Sequence, residues 1–147
     1  MLKLDLLKRD EGFRAYAYQD HLGYWTIGYG RMIDKAKGGG ISREEAEHLL
    51  WNDVRQREDV LMELFPWYLG LSEVRQAVLL SMAFQLGISG LLAFKNTLRA
   101  VQEGRFDDAA DGMMRSKWAT QTPGRAFRLS EAMRTNDEAA LRLSEDL

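Results

Sequence analysis

Cysteine is missing altogether, and histidine is nearly so, with only His21 and His48 among 147 residues. Without thiols there is no disulfide and no cysteine nucleophile, a composition that fits synthesis in a reducing compartment. Nothing clusters about the two histidines at metal-ligand spacing, so neither a metal nor a cofactor is expected. Long apolar runs are lacking too, since none approaches the roughly 20 consecutive apolar residues of a membrane helix. The most apolar stretch, residues 77–94, is interrupted by Ser81, Gln85, Gly87, Ser89 and Gly90. No membrane insertion is expected. The opening Met1-Leu-Lys-Leu-Asp-Leu-Leu-Lys-Arg9 holds no continuous apolar segment, so no secretory signal is read there. Repeats and low-complexity linkers are likewise missing. What remains, 147 residues of which 46% are hydrophobic, suits one globular domain with a sizeable core. The chain is expected to be a monomer without a nucleic-acid partner.

The stretch richest in chemistry is Asp10-Glu-Gly-Phe-Arg-Ala-Tyr-Ala-Tyr-Gln-Asp20-His-Leu-Gly-Tyr-Trp-Thr26-Ile-Gly-Tyr-Gly30. Residues 2–11 place leucines among charges at positions 2, 4, 6 and 7, which predicts a short amphipathic helix. Gly12 is its natural stop, because glycine accepts the left-handed backbone of a helix terminus. Asp10 and Glu11 then occupy the last turn, where the helix dipole prefers cations. Departures from a local rule of this kind tend to mark functional positions. After Gly12 the period changes to two, and turn formers at residues 19–23 separate two alternating segments. That pattern predicts an antiparallel hairpin whose second strand carries Thr26, Gly28 and Gly30 on one sparsely filled face, suited to close approach by a ligand.

Further along, residues 32–41 read as a flexible loop around Gly38-Gly39-Gly40, without the lysine and hydroxyl residues of a phosphate cradle. Ser42-Arg-Glu-Glu45 is a capping box opening a long helix with an expected inner stripe of Ala46, Leu49, Leu50, Val54 and Leu61. Phe65-Pro-Trp-Tyr68 ends it, since proline resists helix continuation. Ser72 then caps a helix through Ala77, Leu79, Leu80, Ala83 and Leu86, with Gly87 and Gly90 splitting the apolar run. Gln85 in that run is expected to be buried and therefore hydrogen-bonded. Residues 106–114, 124–133 and 137–143 have helical apolar spacing, and the last is expected to pack on the N-terminal helix. The fold class expected is α+β, predominantly helical, with a small hairpin lobe (about residues 12–60) and a larger helical lobe (about 1–11 and 61–147) leaving a cleft between them.

Glu11, Asp20 and Gly23-Tyr-Trp-Thr26-Ile-Gly-Tyr-Gly30 resemble the catalytic segment of the phage-type lysozymes, glycoside hydrolase family 24. The likeness continues in Phe84-Gln-Leu-Gly87, Phe94-Lys-Asn-Thr97-Leu-Arg99 and Trp118-Ala-Thr-Gln-Thr-Pro-Gly-Arg125, and covers nearly the whole chain. It implies a peptidoglycan-cleaving enzyme with Glu11, Asp20 and Thr26 catalytic. It also implies sugar-binding positions at Met32, Phe84, Thr97 and Gly112, the last without the polar side chain the family carries there. Gln85 and Trp118 would support the site with Arg125, the expected partner of Glu11, and Arg31 would pair with Asp53. The loop at 32–41 is shorter than the family's usual segment.

Glycosidic cleavage uses one carboxylic acid that protonates the leaving oxygen and one carboxylate that stabilises the cationic sugar or activates water. Glu11 suits the first role, with the helix-end dipole, Asp10 and burial favouring its neutral form against Arg125. Asp20, on a hydrated turn, suits the second, and Thr26 positions a water, which points to inversion. The net charge of −2 is uneven: residues 40–75 hold eight acids against four arginines, and residues 95–134 hold eight cations against five acids. The second region would attract the acidic cell wall, although two solvated helical surfaces read equally well. Two other readings stay open: a non-catalytic wall-binding or antimicrobial protein, and a lytic transglycosylase. The hydrolase is expected to be made in the cytoplasm and to reach the wall once the inner membrane is opened.

Overall fold

The computed structural model describes residues 1–143. It divides into two compact units, Met1–Trp51 and Asn52–Leu147. The fold class is α+β and mostly helical.

In the first unit, α1 (Leu2–Glu11) ends at Gly12, whose φ of 73° lets its N–H bond the Lys8 carbonyl. No residue of α1 is buried, and the four leucines that suggested an apolar face are all exposed. Residues 1–11 group by contact with the sheet of this unit. The expected hairpin is present as β1 (Arg14–Gln19) and β2 (Trp25–Gly28), but a third strand, β3 (Arg31–Met32), completes an antiparallel sheet in the order β1-β2-β3. Two residues are too few to show a period, so β3 left no pattern to read. Thr26 lies opposite Tyr18 on one side and Met32 on the other. The three side chains therefore share a face, at the spacing that lets cross-strand neighbours touch.

The glycine-rich segment after β3 is a tied loop and not the flexible connection expected. Asp34 caps a single 3-10 turn (Lys35–Lys37), and the Gly39 and Gly40 N–H groups bond back to the Asp34 and Met32 carbonyls. A Cβ on Gly39 would stand 2.8 Å from the Met32 oxygen, so only glycine closes the loop this tightly.

The capping box forms as expected: Ser42 Oγ accepts from the Glu45 N–H, and the Glu45 carboxylate accepts from the Ser42 N–H. It opens α2 (Arg43–Leu64), which continues into the second unit. The predicted inner stripe of α2 is a correction. Of its five members only Leu61 is buried; Val54 is half-buried, and Ala46, Leu49 and Leu50 are exposed. Periodicity shows which face is apolar, not whether anything covers it.

The second unit holds the core. Ser72 caps α3 (Glu73–Leu92) by accepting from the Arg75 N–H, and the helix breaks at Gly87, with φ 74° and ψ 167°. Gly90, the other expected break, stays helical. The buried stripe of α3 runs through Val78, Leu79, Met82 and Ala83. Of the positions expected inside, Leu80 and Leu86 are half-buried and Ala77 is exposed, so the helix is rotated from the predicted face. Four further helices follow: α4 (Lys95–Gln102), α5 (Phe106–Met114), α6 (Lys117–Gln121) and α7 (Pro123–Thr135), with a 3-10 turn (Glu138–Leu141) after them. Trp118, Met113 and Met133 complete the centre. Arg75 ties this unit together, lying 3.5 Å over the Phe106 ring while its Nε donates to the Met133 carbonyl. Residues 137–143, expected to be helical, hold a 3-10 turn over Glu138–Leu141 that Asp137 caps by accepting from the Ala139 N–H.

Candidate active site

Three backbone features set the polar residues of the first unit. The C-terminus of α1 delivers Glu11, and the close return of the chain after β2 brings Gly30 against it. A Cβ at Gly30 would lie 3.2 Å from Glu11 Oε2, and the glycine has φ +82°. Any side chain at position 30 would therefore be strained and would crowd the carboxyl group. Glu11 is exposed, which corrects the expectation of burial. Its neighbour Asp10 pairs with Arg9 at 2.9 Å.

Asp20 heads the turn between β1 and β2. Its Oδ1 accepts from the Tyr24 and Leu22 N–H groups, both at 2.9 Å. The Tyr24 N–H most of all holds its carboxyl below the usual carboxylate range; desolvation opposes it, and the Leu22 N–H, the charge of His21 and the Gly23 N–H add to the lowering. Asp20 is an anion at neutral pH, as the turn position predicted. Thr26 is buried, and its hydroxyl donates to the Tyr24 carbonyl at 3.0 Å. That same carbonyl accepts from the Asp20 N–H at 2.9 Å. The backbone of Tyr24 thus knots the carboxylate to the hydroxyl, which sequence reasoning missed because a main-chain clamp leaves no side-chain signature. With its proton engaged, the Thr26 oxygen faces other donors as an acceptor. Met32 stands beside it on the same face.

Arg31 does not take its expected partner. Its guanidinium is bidentate with Glu45, both contacts 2.5 Å. Arg31 holds the Glu45 carboxyl down to about 2, with the Ser42 N–H adding to the effect. Asp53 lies eight residues further along α2, roughly 12 Å along the helix axis from Glu45. The capping box puts Glu45 on the first turn, nearer the strand that carries Arg31.

In the second unit the expected supporting residues do meet. Trp118 Nε1 donates to Gln85 Oε1 at 2.8 Å, and Gln85 Nε2 reaches Thr122 Oγ1 at 3.4 Å. Trp118 is buried, but Gln85 is exposed, contrary to expectation. Arg125 donates to the carbonyl and hydroxyl oxygens of Ser81, at 3.1 and 2.9 Å. Phe84 is half-buried, and its ring face is occupied by the Arg57 guanidinium at 4.3 Å from the centroid. Thr97 and Gly112 are in contact: a Cβ on Gly112 would stand 2.6 Å from Thr97 Oγ1. Two cavities of about 430 and 310 Å³ share Asn96, Thr97, Gly112 and Arg115 in their walls. A side chain at position 112 would therefore have to displace the Thr97 hydroxyl. Among the described residues, no three His, Asp or Glu side chains gather as a metal site.

The family model for phage lysozyme matches residues 8–135. The probable T4-type lysozyme 1 of Dictyostelium discoideum is 29% identical, over 89% of this chain and 92% of its own length. The probable T4-type lysozyme 2 of the same organism is 30% identical over the same shares of 89% and 92%. The endolysin of Salmonella phage P22 is 33% identical, over 80% of this chain and 82% of its own. A match running from the end of α1 to the end of α7 takes in Glu11, Asp20, Thr26 and Arg125 together, and the chain belongs to the phage lysozyme family, as a glycoside hydrolase of the lysozyme type.

Proposed function

We propose that the chain hydrolyses the β-1,4 bond between N-acetylmuramic acid and N-acetylglucosamine in bacterial peptidoglycan. Glu11 is the general acid, Asp20 the base and electrostatic partner, and Thr26 the residue that orients the attacking water. The observation that carries this reading is the Tyr24 clamp, in which the N–H and carbonyl of one residue bind the Asp20 carboxylate and the Thr26 hydroxyl.

The chemistry follows from donor and acceptor counting. Thr26 has spent its proton on the Tyr24 carbonyl, and Asp20 is held ionised by main-chain N–H groups. A water between them donates one hydrogen to each oxygen and turns its lone pair outward, toward the anomeric carbon. As the bond forms, Asp20 takes the proton directed at it, and the hydrogen directed at Thr26 stays on the new anomeric hydroxyl. Glu11 protonates the departing sugar oxygen, so the two carboxyl groups end with exchanged protonation states. Water on the face opposite the leaving group gives inversion.

Glu11 must keep its proton until the glycosidic oxygen arrives. Met32, Phe84, Thr97 and Gly112 border the bound sugars in this reading, which for these four rests on family likeness. The enzyme reaches the wall from the cytoplasm once the inner membrane is opened.

The test is lysis of outer-membrane-permeabilised cells, followed by turbidity. Glu11→Gln keeps the shape of the side chain and removes the acid, so clearing should slow about 10²-fold or more. Proton magnetic resonance of the first product should show the α-anomer. Clearing by Glu11→Gln at the parent rate, or a β-anomer first, would overturn the assignment.

A further inference from the structure

Arg57 lies on α2 in the second unit and is half-buried. Asp53, four residues back on the same helix, is at the spacing where an arginine and an aspartate ordinarily pair. Arg57 does not take it: among the described residues it forms no ion pair, while seven such contacts engage other side chains. Its guanidinium instead lies 4.3 Å over the ring of Phe84. Stacking uses the flat face of the group and leaves its in-plane N–H edge free. That edge is the fork that receives a carboxylate with two parallel hydrogen bonds.

The surroundings add to this. Phe84 is followed by Gln85, which is fixed through Trp118 and Thr122. The segment carrying Phe84, on which the cation rests, is therefore held in place. With Arg57 on its face, Phe84 no longer offers bare apolar surface to a sugar. What it presents is a cation that has no ion-pair partner among the described residues.

We propose that Arg57 is a specificity-determining residue that binds a carboxylate borne by the wall polymer, with Phe84 as the platform that aims it. This rests on the muramidase reading and its placement of Phe84 beside the substrate, and it adds acid-group recognition by a residue outside the catalytic set. Arg57 touches no reacting atom. Its contribution belongs in substrate affinity and not in turnover.

The experiment compares the parent, Arg57→Ala, Arg57→Gln and Arg57→Lys on two substrates. One is native sacculi; the other is sacculi whose carboxyl groups have been capped as methylamides by carbodiimide coupling. On native sacculi Arg57→Ala and Arg57→Gln should raise KM about threefold to fivefold, with kcat within twofold. Arg57→Lys should fall between, keeping the charge and losing the planar fork. On capped sacculi all four proteins should share one KM, near that of Arg57→Ala on the native wall. A purely structural role would lower activity on both substrates alike, and that result overturns the proposal, as does an unchanged KM on native sacculi. Should the parent itself release no muropeptides, the muramidase reading falls first and takes this proposal with it. A parent that turns over beside an indifferent Arg57→Ala removes the proposal alone.

Discussion

Gly30 connects backbone conformation directly to chemistry. Its φ of +82° and its 3.2 Å approach to Glu11 Oε2 mean that a methyl group strains the chain and displaces the acid together. Gly30→Ala should cost about 1–3 kcal/mol in thermal denaturation and at least tenfold in clearing rate. Equal activity at the parent's melting temperature would show that the close approach does not matter. Asp20→Asn removes the anion but keeps an oxygen for the Tyr24 N–H. Clearing should fall about 10²-fold or more while the turn persists. Asp20 also makes a pH prediction. Its carboxyl is depressed in the folded chain relative to the usual 3.8. The stability it confers is present above that value and lost as pH falls through the folded pKa. The melting difference between parent and Asp20→Asn should therefore be visible at pH 7 and shrink on strong acidification. The placements of Glu11 at a helix end, Asp20 in a turn and Thr26 on a strand were legible in the sequence from its periodicity and turn formers. Tyr24, which joins two of them, was not, since it acts only through its peptide group.

The start of α2 replaces the expected Arg31–Asp53 pair with Arg31–Glu45, and the reason is local. Glu45 already faces back toward the cap through Ser42, so the guanidinium meets a carboxylate that the helix N-terminus has oriented and stabilised. With the Glu45 carboxyl lowered from 4.5 to about 2, its contribution holds above about 4.5 and disappears as pH drops through about 2. A double-mutant cycle on Arg31 and Glu45, followed by thermal melts, should give coupling at pH 7 and none near pH 2. Coupling independent of pH would contradict the ion pair. Both groups are substantially exposed, so added salt should weaken the coupling as well. The capping box that sets this up could be read from Ser42-Arg-Glu-Glu45, but the second duty of Glu45 could not, because β3 is too short to place Arg31. The break in α3 shows the same limit. Two glycines were candidates, and only the backbone tells that Gly87 takes φ 74° while Gly90 stays helical.

At the scale of the molecule, burial is concentrated in the second unit. Thr26 is the one buried residue described in Met1–Trp51, whereas α3, α5 and α7 enclose fully buried Leu79, Met82, Met113 and Met133. Leu79→Ala should therefore destabilise by about 2–5 kcal/mol. Leu49→Ala, at an exposed position of α2, should change stability by no more than about 0.5 kcal/mol. Denaturant melts of both variants check the contrast. The helical class, the capped starts of α2 and α3 and the apolar run at 77–94 were all readable from spacing. The depth of each apolar face was not, since burial depends on neighbours distant in sequence. The central claim, hydrolysis of the wall glycan with Glu11 as acid, is tested most directly by mass spectrometry of purified sacculi digested by the parent and by Glu11→Gln. The account predicts disaccharide muropeptides with reducing N-acetylmuramic acid ends from the parent and almost none from the variant. Anhydro-muropeptides from the parent, or the same products from Glu11→Gln, would contradict it.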